Sequence, residues 1–114
     1  MSQSDEHTEA FFQDPQPGGR LHEQHAFWVE VVAIEDGTVA VREIPPTMGM
    51  PHGYRFFRDA KAFRKAYSYR EGGYWVTYLD RTAKVWEGSL FQLMLQAIGK
   101  ENVSPEEMNK LLEG

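Results

Sequence analysis

Residues 26–44 read AFWVEVVAIEDGTVAVREI, and the reading of this stretch decides the fold class. Both halves are rich in β-branched and aromatic side chains, and Glu35-Asp36-Gly37 between them is turn chemistry, so the stretch predicts a β-hairpin. Charge selects its register. A two-residue loop at Asp36-Gly37 would set Glu30 opposite Glu43, a repulsive pair. A three-residue loop with Gly37 in the left-handed region sets Glu30 opposite Arg42 and gathers Val29, Val31 and Ala33 with Val39 and Val41. The second register is preferred, with that apolar face as core.

Downstream, Pro45 to Gly53 holds three prolines and two glycines, so no regular element can pass through it. Tyr54–Arg58 reads as a short strand. Asp59 is placed to cap a helix over 60–69, where Ala60, Phe63 and Tyr67 form an apolar stripe and Lys61, Arg64 and Lys65 lie away from it. Gly72-Gly73 closes that unit, and a second hairpin is expected from Tyr74–Leu79 and Ala83–Glu87. Ser89 caps a helix over Leu90–Ile98 that Gly99 can end. Ser104-Pro105-Glu106-Glu107 combines a cap, a proline at the first helical position and acids in the first turn, starting a helix to about Leu112.

The element order is therefore β-β-β-α-β-β-α-α. This is an α+β class: an antiparallel sheet of about five strands, two hairpins plus a short strand, with helices packed on one face. Residues 1–24 carry Ser, Gln, acids, Pro and Gly and are expected to be a disordered arm before a single domain at 25–114. Phe11 and Phe12 interrupt that arm and would either fold back or dock elsewhere.

The whole chain has 114 residues, 41% of them hydrophobic and 13% aromatic, which suits one soluble globular domain. No run approaches a membrane span, and the start lacks a signal-peptide pattern, so a cytoplasmic setting is expected. There is no cysteine, which excludes disulfides, thiolate metal sites and a cysteine nucleophile. His22 and His25 stand three residues apart in a stretch without helix signal, short of the H-E-x-x-H spacing, so no metal site and no cofactor are assigned. No paired-carboxylate motif, phosphate loop or nucleophile elbow is visible, and the chain is read as non-catalytic.

Charge is uneven within a net of −5. Eight cations face three acids between Tyr54 and Lys84, interleaved with aromatic residues. Two partner classes follow. The first is another protein, or a second copy, bound through an aromatic sheet face and a Met/Pro-rich loop, with Phe11, Phe12, Met48, Met50, Tyr74, Trp75 and Tyr78 as contacts. The alternative is RNA or single-stranded DNA, held by Arg55, Arg58, Lys61, Arg64, Lys65 and Arg70 with rings stacking on bases. A third reading, a small-ligand enzyme, rests on His52 alone. The bland account of the same residues is a solvated basic helix beside core aromatics.

Overall fold

The computed structural model describes residues 14–23, 27–44, 51–67, 75–79 and 85–114. Six strands form one sheet in the order β5-β1-β2-β3-β4-β6: β1 (Gly19–Glu23), β2 (Phe27–Glu35), β3 (Thr38–Ile44), β4 (Tyr54–Phe57), β5 (Trp75–Leu79) and β6 (Leu112–Glu113). Every pairing is antiparallel except β4 with β6, which is parallel. Among the described residues three helices accompany it: α1 (Ala60–Tyr67), α2 (Leu90–Ile98) and α3 (Pro105–Leu111). The α+β class stands, and the elements shared with the sequence reading follow the expected order.

The hairpin resolves its register problem in a way that combines both alternatives. Asp36 and Gly37 both take positive φ, at 50° and 83°, and form a two-residue turn between the paired Glu35 and Thr38. Glu30 nevertheless faces Arg42, because Val32 is an extra residue in β2 and the register shifts between Val31 and Ala33. The bulge also divides the side chains. Val29 and Val31 join Val39 and Val41, while Val32 packs with Ala40 on the opposite face and Ala33 lies against that second cluster.

Helices cover both faces of the sheet, not one. On one face Leu21, Val29, Val31, Val39, Val41 and Phe57 pack with Phe63 and Tyr67 of α1. On the other, Val32, Ala40 and Phe56 meet Leu90, Leu93, Met94 and Ala97 of α2, with Met108 and Leu111 of α3 alongside. Phe56 and Phe57 show the cause. Successive residues of a strand point to opposite faces, and both rings are buried, so each face needs a lid.

The N-terminal boundary shifts as well. Gly19–Glu23, expected within a disordered arm, is an interior strand between β5 and β2, and Leu21 has no exposed surface. Residues 1–13 and 24 of that arm lie outside the described residues, while the Gly18 N–H donates to the Val31 carbonyl at 2.9 Å. The expected strand over 83–87 is not found among its described residues: Val85–Glu87 carries no ladder, and the Trp86 backbone N–H donates to the Val32 carbonyl at the bulge, 2.9 Å away.

Caps follow the sequence closely. Asp59 Oδ1 accepts from the Ala62 N–H at 2.7 Å and opens α1. Ser89 and Gln92 form a capping box on α2, which Gly99 ends in the left-handed region. The Glu35 carboxylate also accepts from the Leu90 N–H, at 3.2 Å, tying the hairpin end to the α2 N-terminus. Ser104 caps α3 with Pro105 following it. Among the described residues no helix is long and apolar enough to cross a membrane.

Candidate functional site

The sequence-predicted docking residues divide sharply. Phe11, Phe12, Met48, Met50 and Tyr74 lie outside the described residues, as does Arg70 of the nucleic-acid set. Trp75 and Tyr78 belong to β5, where the register sets them opposite Glu23 and Arg20 of β1. The rings nearest the expected basic surface are core instead. Phe56, Phe57, Phe63 and Tyr67 are buried, and Tyr54 and Trp86 are half-buried. Phe57, Phe63 and Tyr67 pack edge-on or tilted at centroid distances of 5.4–5.9 Å, which uses their faces inside the molecule.

The cations divide too. Arg55, expected among phosphate-binding residues, is drawn into a polar cluster beneath α1. Its Nε donates to Glu113 Oε2 at 2.9 Å, a second nitrogen reaches the other Glu113 oxygen, and Nη1 donates to Glu43 Oε2 at 3.0 Å and to the Tyr67 hydroxyl at 3.1 Å. The Tyr67 hydroxyl donates to Glu43 Oε2 at 2.7 Å. Glu43 is buried, and a carboxylate there is tolerable only with such donors. Burial first, then the hydrogen bond and charge of Glu43, push the Tyr67 phenol far above its ordinary range. The hydrogen bond to Glu113 likewise raises Arg55, so its charge is permanent.

Lys61, Arg64 and Lys65 remain on the surface. At about 100° per residue they occupy roughly 100° of the α1 circumference, centred about 130° from the direction of Phe63 and Tyr67. All three are exposed, and none forms an ion pair with another described residue. Arg58 is exposed beside them, with one nitrogen donating to the Asn109 carbonyl at 2.9 Å. Nothing acidic lies within α1 itself. The product is a small cationic face on a helix held rigidly from below.

His52 is exposed, in a short turn at Pro51–Gly53 with positive φ, and its imidazole forms no hydrogen bond with another described residue. No group of three His, Cys, Asp or Glu side chains suited to a metal occurs among the described residues.

A second polar constellation, missed at the level of sequence, lies on the α2 face of the sheet. Glu30 is buried, and Arg20 of β1 forms its ion pair at 2.7 Å; Arg42, its cross-strand neighbour, does not. The cross-strand pattern correctly put Arg42 beside Glu30, but Arg20 was invisible as a competitor while β1 passed for a tail.

No family model, no curated protein and no solved structure matches this chain.

Proposed function

We propose that the protein is a small non-catalytic interaction protein that binds an acidic surface of a partner protein through α1. One observation carries this reading: Lys61, Arg64 and Lys65 stand exposed on one helix face without acidic partners among the described residues. Phe63 and Tyr67 anchor that helix in the core, so the charges are presented with little ordering cost. A preorganised cationic patch steers association with an anionic partner even within a protein of net charge −5. The cysteine-free composition fits a cytoplasmic setting.

RNA or single-stranded DNA is the second reading, favoured by the same cations together with Arg58. It is the weaker of the two because Phe56, Phe57, Phe63 and Tyr67 are core, and cationic grooves for single strands work with exposed rings.

Fluorescence anisotropy with a labelled oligoglutamate peptide and a labelled single-stranded RNA of equal length separates the readings. The expected result is salt-sensitive peptide binding that weakens on the order of tenfold or more in K61E/R64E/K65E. Tighter RNA binding, with a salt slope reduced in R58A/R64A, would transfer the conclusion to nucleic acid. Neither probe binding at low salt would end both. Light scattering across concentration adds the homo-oligomer arm: a mass that rises with concentration and falls in the triple variant would make the partner a second copy.

A further inference from the structure

On the sheet face opposite α1, a cavity of about 70 Å³ opens between β2, β3, the segment before α2 and α2 itself. Val32 and Leu93 contribute apolar surface, and Trp86 supplies an aromatic wall. Arg42, Tyr54 and Gln96 bring hydrogen-bonding side chains to the same opening. None of these three polar side chains forms a hydrogen bond or ion pair with another described residue. Glu30 also lines the cavity, but its carboxylate is held by Arg20 at 2.7 Å.

We infer that this cavity is a binding site for a carboxylate carried on a short apolar group. Size is the first argument. A liquid water occupies roughly 30 Å³, so the space matches about two waters. Small-molecule sites of several hundred cubic ångströms belong to another class. The space encloses a carboxylate head with a short stem, and is too small to enclose a whole sugar or nucleotide.

Charge is the second argument. Arg20 already holds the Glu30 carboxylate, so the Arg42 guanidinium, which forms no ion pair with another described residue, offers its single positive charge to a monoanion. A phosphate dianion would remain unbalanced beside the buried Glu30 carboxylate.

Donor geometry is the third. A planar guanidinium fork donates two parallel hydrogen bonds to a carboxylate, and the Tyr54 hydroxyl and Gln96 amide N–H can serve its remaining lone pairs. The apolar surfaces of Val32, Leu93 and Trp86 then suit a short hydrocarbon stem. Such a carboxylate comes either from a free small acid or from the C-terminus of a peptide. This site lies on the opposite sheet face from the cationic helix, and it is independent of the partner proposed above.

The test is an NMR titration that follows the Trp86 indole N–H, assigned with W86F, and the Gln96 side-chain amide. Three probes are used at constant ionic strength: propionate, a tetrapeptide ending in a free alanine carboxylate, and the same tetrapeptide amidated. The expected result is saturable shifts at both reporters with propionate, with the free peptide, or with both, and none with the amidated peptide. Propionate alone identifies a free acid as the source; the free peptide alone identifies a chain terminus. R42Q should bind about tenfold more weakly, and K61Q/R64Q/K65Q should bind as the parent does. Where R42Q fails to give a folded amide spectrum, Y54F and Q96A take its place, each weakening binding about threefold. Sulfate saturating the same reporters as tightly as propionate, the amidated peptide binding equally, or unchanged affinity in the Arg42, Tyr54 and Gln96 variants would each overturn the inference.

Discussion

Tyr67 concentrates the physics of single residues in this protein. Its ring closes the core under α1, while its hydroxyl donates to the buried Glu43 and accepts from Arg55. Tyr67→Phe keeps the ring and leaves Glu43 with one donor fewer, so a loss of about 1–3 kcal/mol is expected in urea unfolding. The same hydroxyl sets an alkaline limit. Folding raises its pKa above the ordinary value of about 10, so the folded state holds the proton more tightly than the unfolded chain. That contribution is complete below pH 10 and is lost as pH climbs beyond it. The unfolding midpoint of the parent should therefore fall above pH 10 more steeply than that of Tyr67→Phe. Tyrosinate absorbance should show at least one of the five tyrosines refusing to ionise until the protein unfolds.

Two glycines make a contrasting pair at the same scale. Gly37 sits at φ 83° with nothing within 4 Å of the place a Cβ would take, so Gly37→Ala bears only the left-handed backbone cost, about 1 kcal/mol. Gly53 has nearly the same φ, 81°, but a Cβ there would strike the Glu43 carbonyl. Gly53→Ala should cost at least about 2 kcal/mol, because backbone strain and collision act together. Thermal melts of the two variants check the ranking; equal losses would mean that the β3 backbone yields freely.

Elements bounded by local chemistry are legible in the chain alone. Ser89 and Gly99 delimit α2, and Ser104 and Pro105 start α3, because caps depend on residues only a few positions apart. The hairpin is legible for the same reason, although its turn has two residues and not the three preferred from sequence. Its bulge is not, since Asp36-Gly37 demands a two-residue turn while Glu30 and Arg42 demand another register. Only an extra residue at Val32 satisfies both. β1 escapes because a five-residue strand with the lone aliphatic Leu21 has too little apolar alternation to register as one. β6 has two residues and no period at all. Among candidate site residues, Lys61, Arg64 and Lys65 are legible as the solvent side of an amphipathic helix. The ion pairs of Arg55 are illegible because Glu113, its principal partner, lies 58 positions away.

That distant contact governs the molecule as a whole. The Arg55 fork on Glu113, the Arg58 N–H donating to the Glu113 carbonyl at 3.0 Å, and Arg58 on Asn109 together hold α3 and β6 against β4. The Glu113 side chain is 38% exposed, so solvent screening limits the pair to about 1 kcal/mol. Glu113→Gln should lower global stability by about that amount. It should also accelerate amide exchange in α3 and β6 well beyond the change in β2 and β3. Uniform acceleration across the sheet would show instead that no local latch exists.

The chain by itself determined the α+β class, the helix starts, the end of α2, the hairpin and the cationic side of α1, because each depends on turn chemistry, capping or periodicity within a few residues. Tertiary structure alone decided that both sheet faces are covered, that Arg20 and not Arg42 pairs with Glu30, that Arg55 is held by two carboxylates, and that a small polar cavity opens beside α2. Those outcomes rest on which distant side chains compete for the same buried charge or the same face, and a local pattern carries no record of that competition.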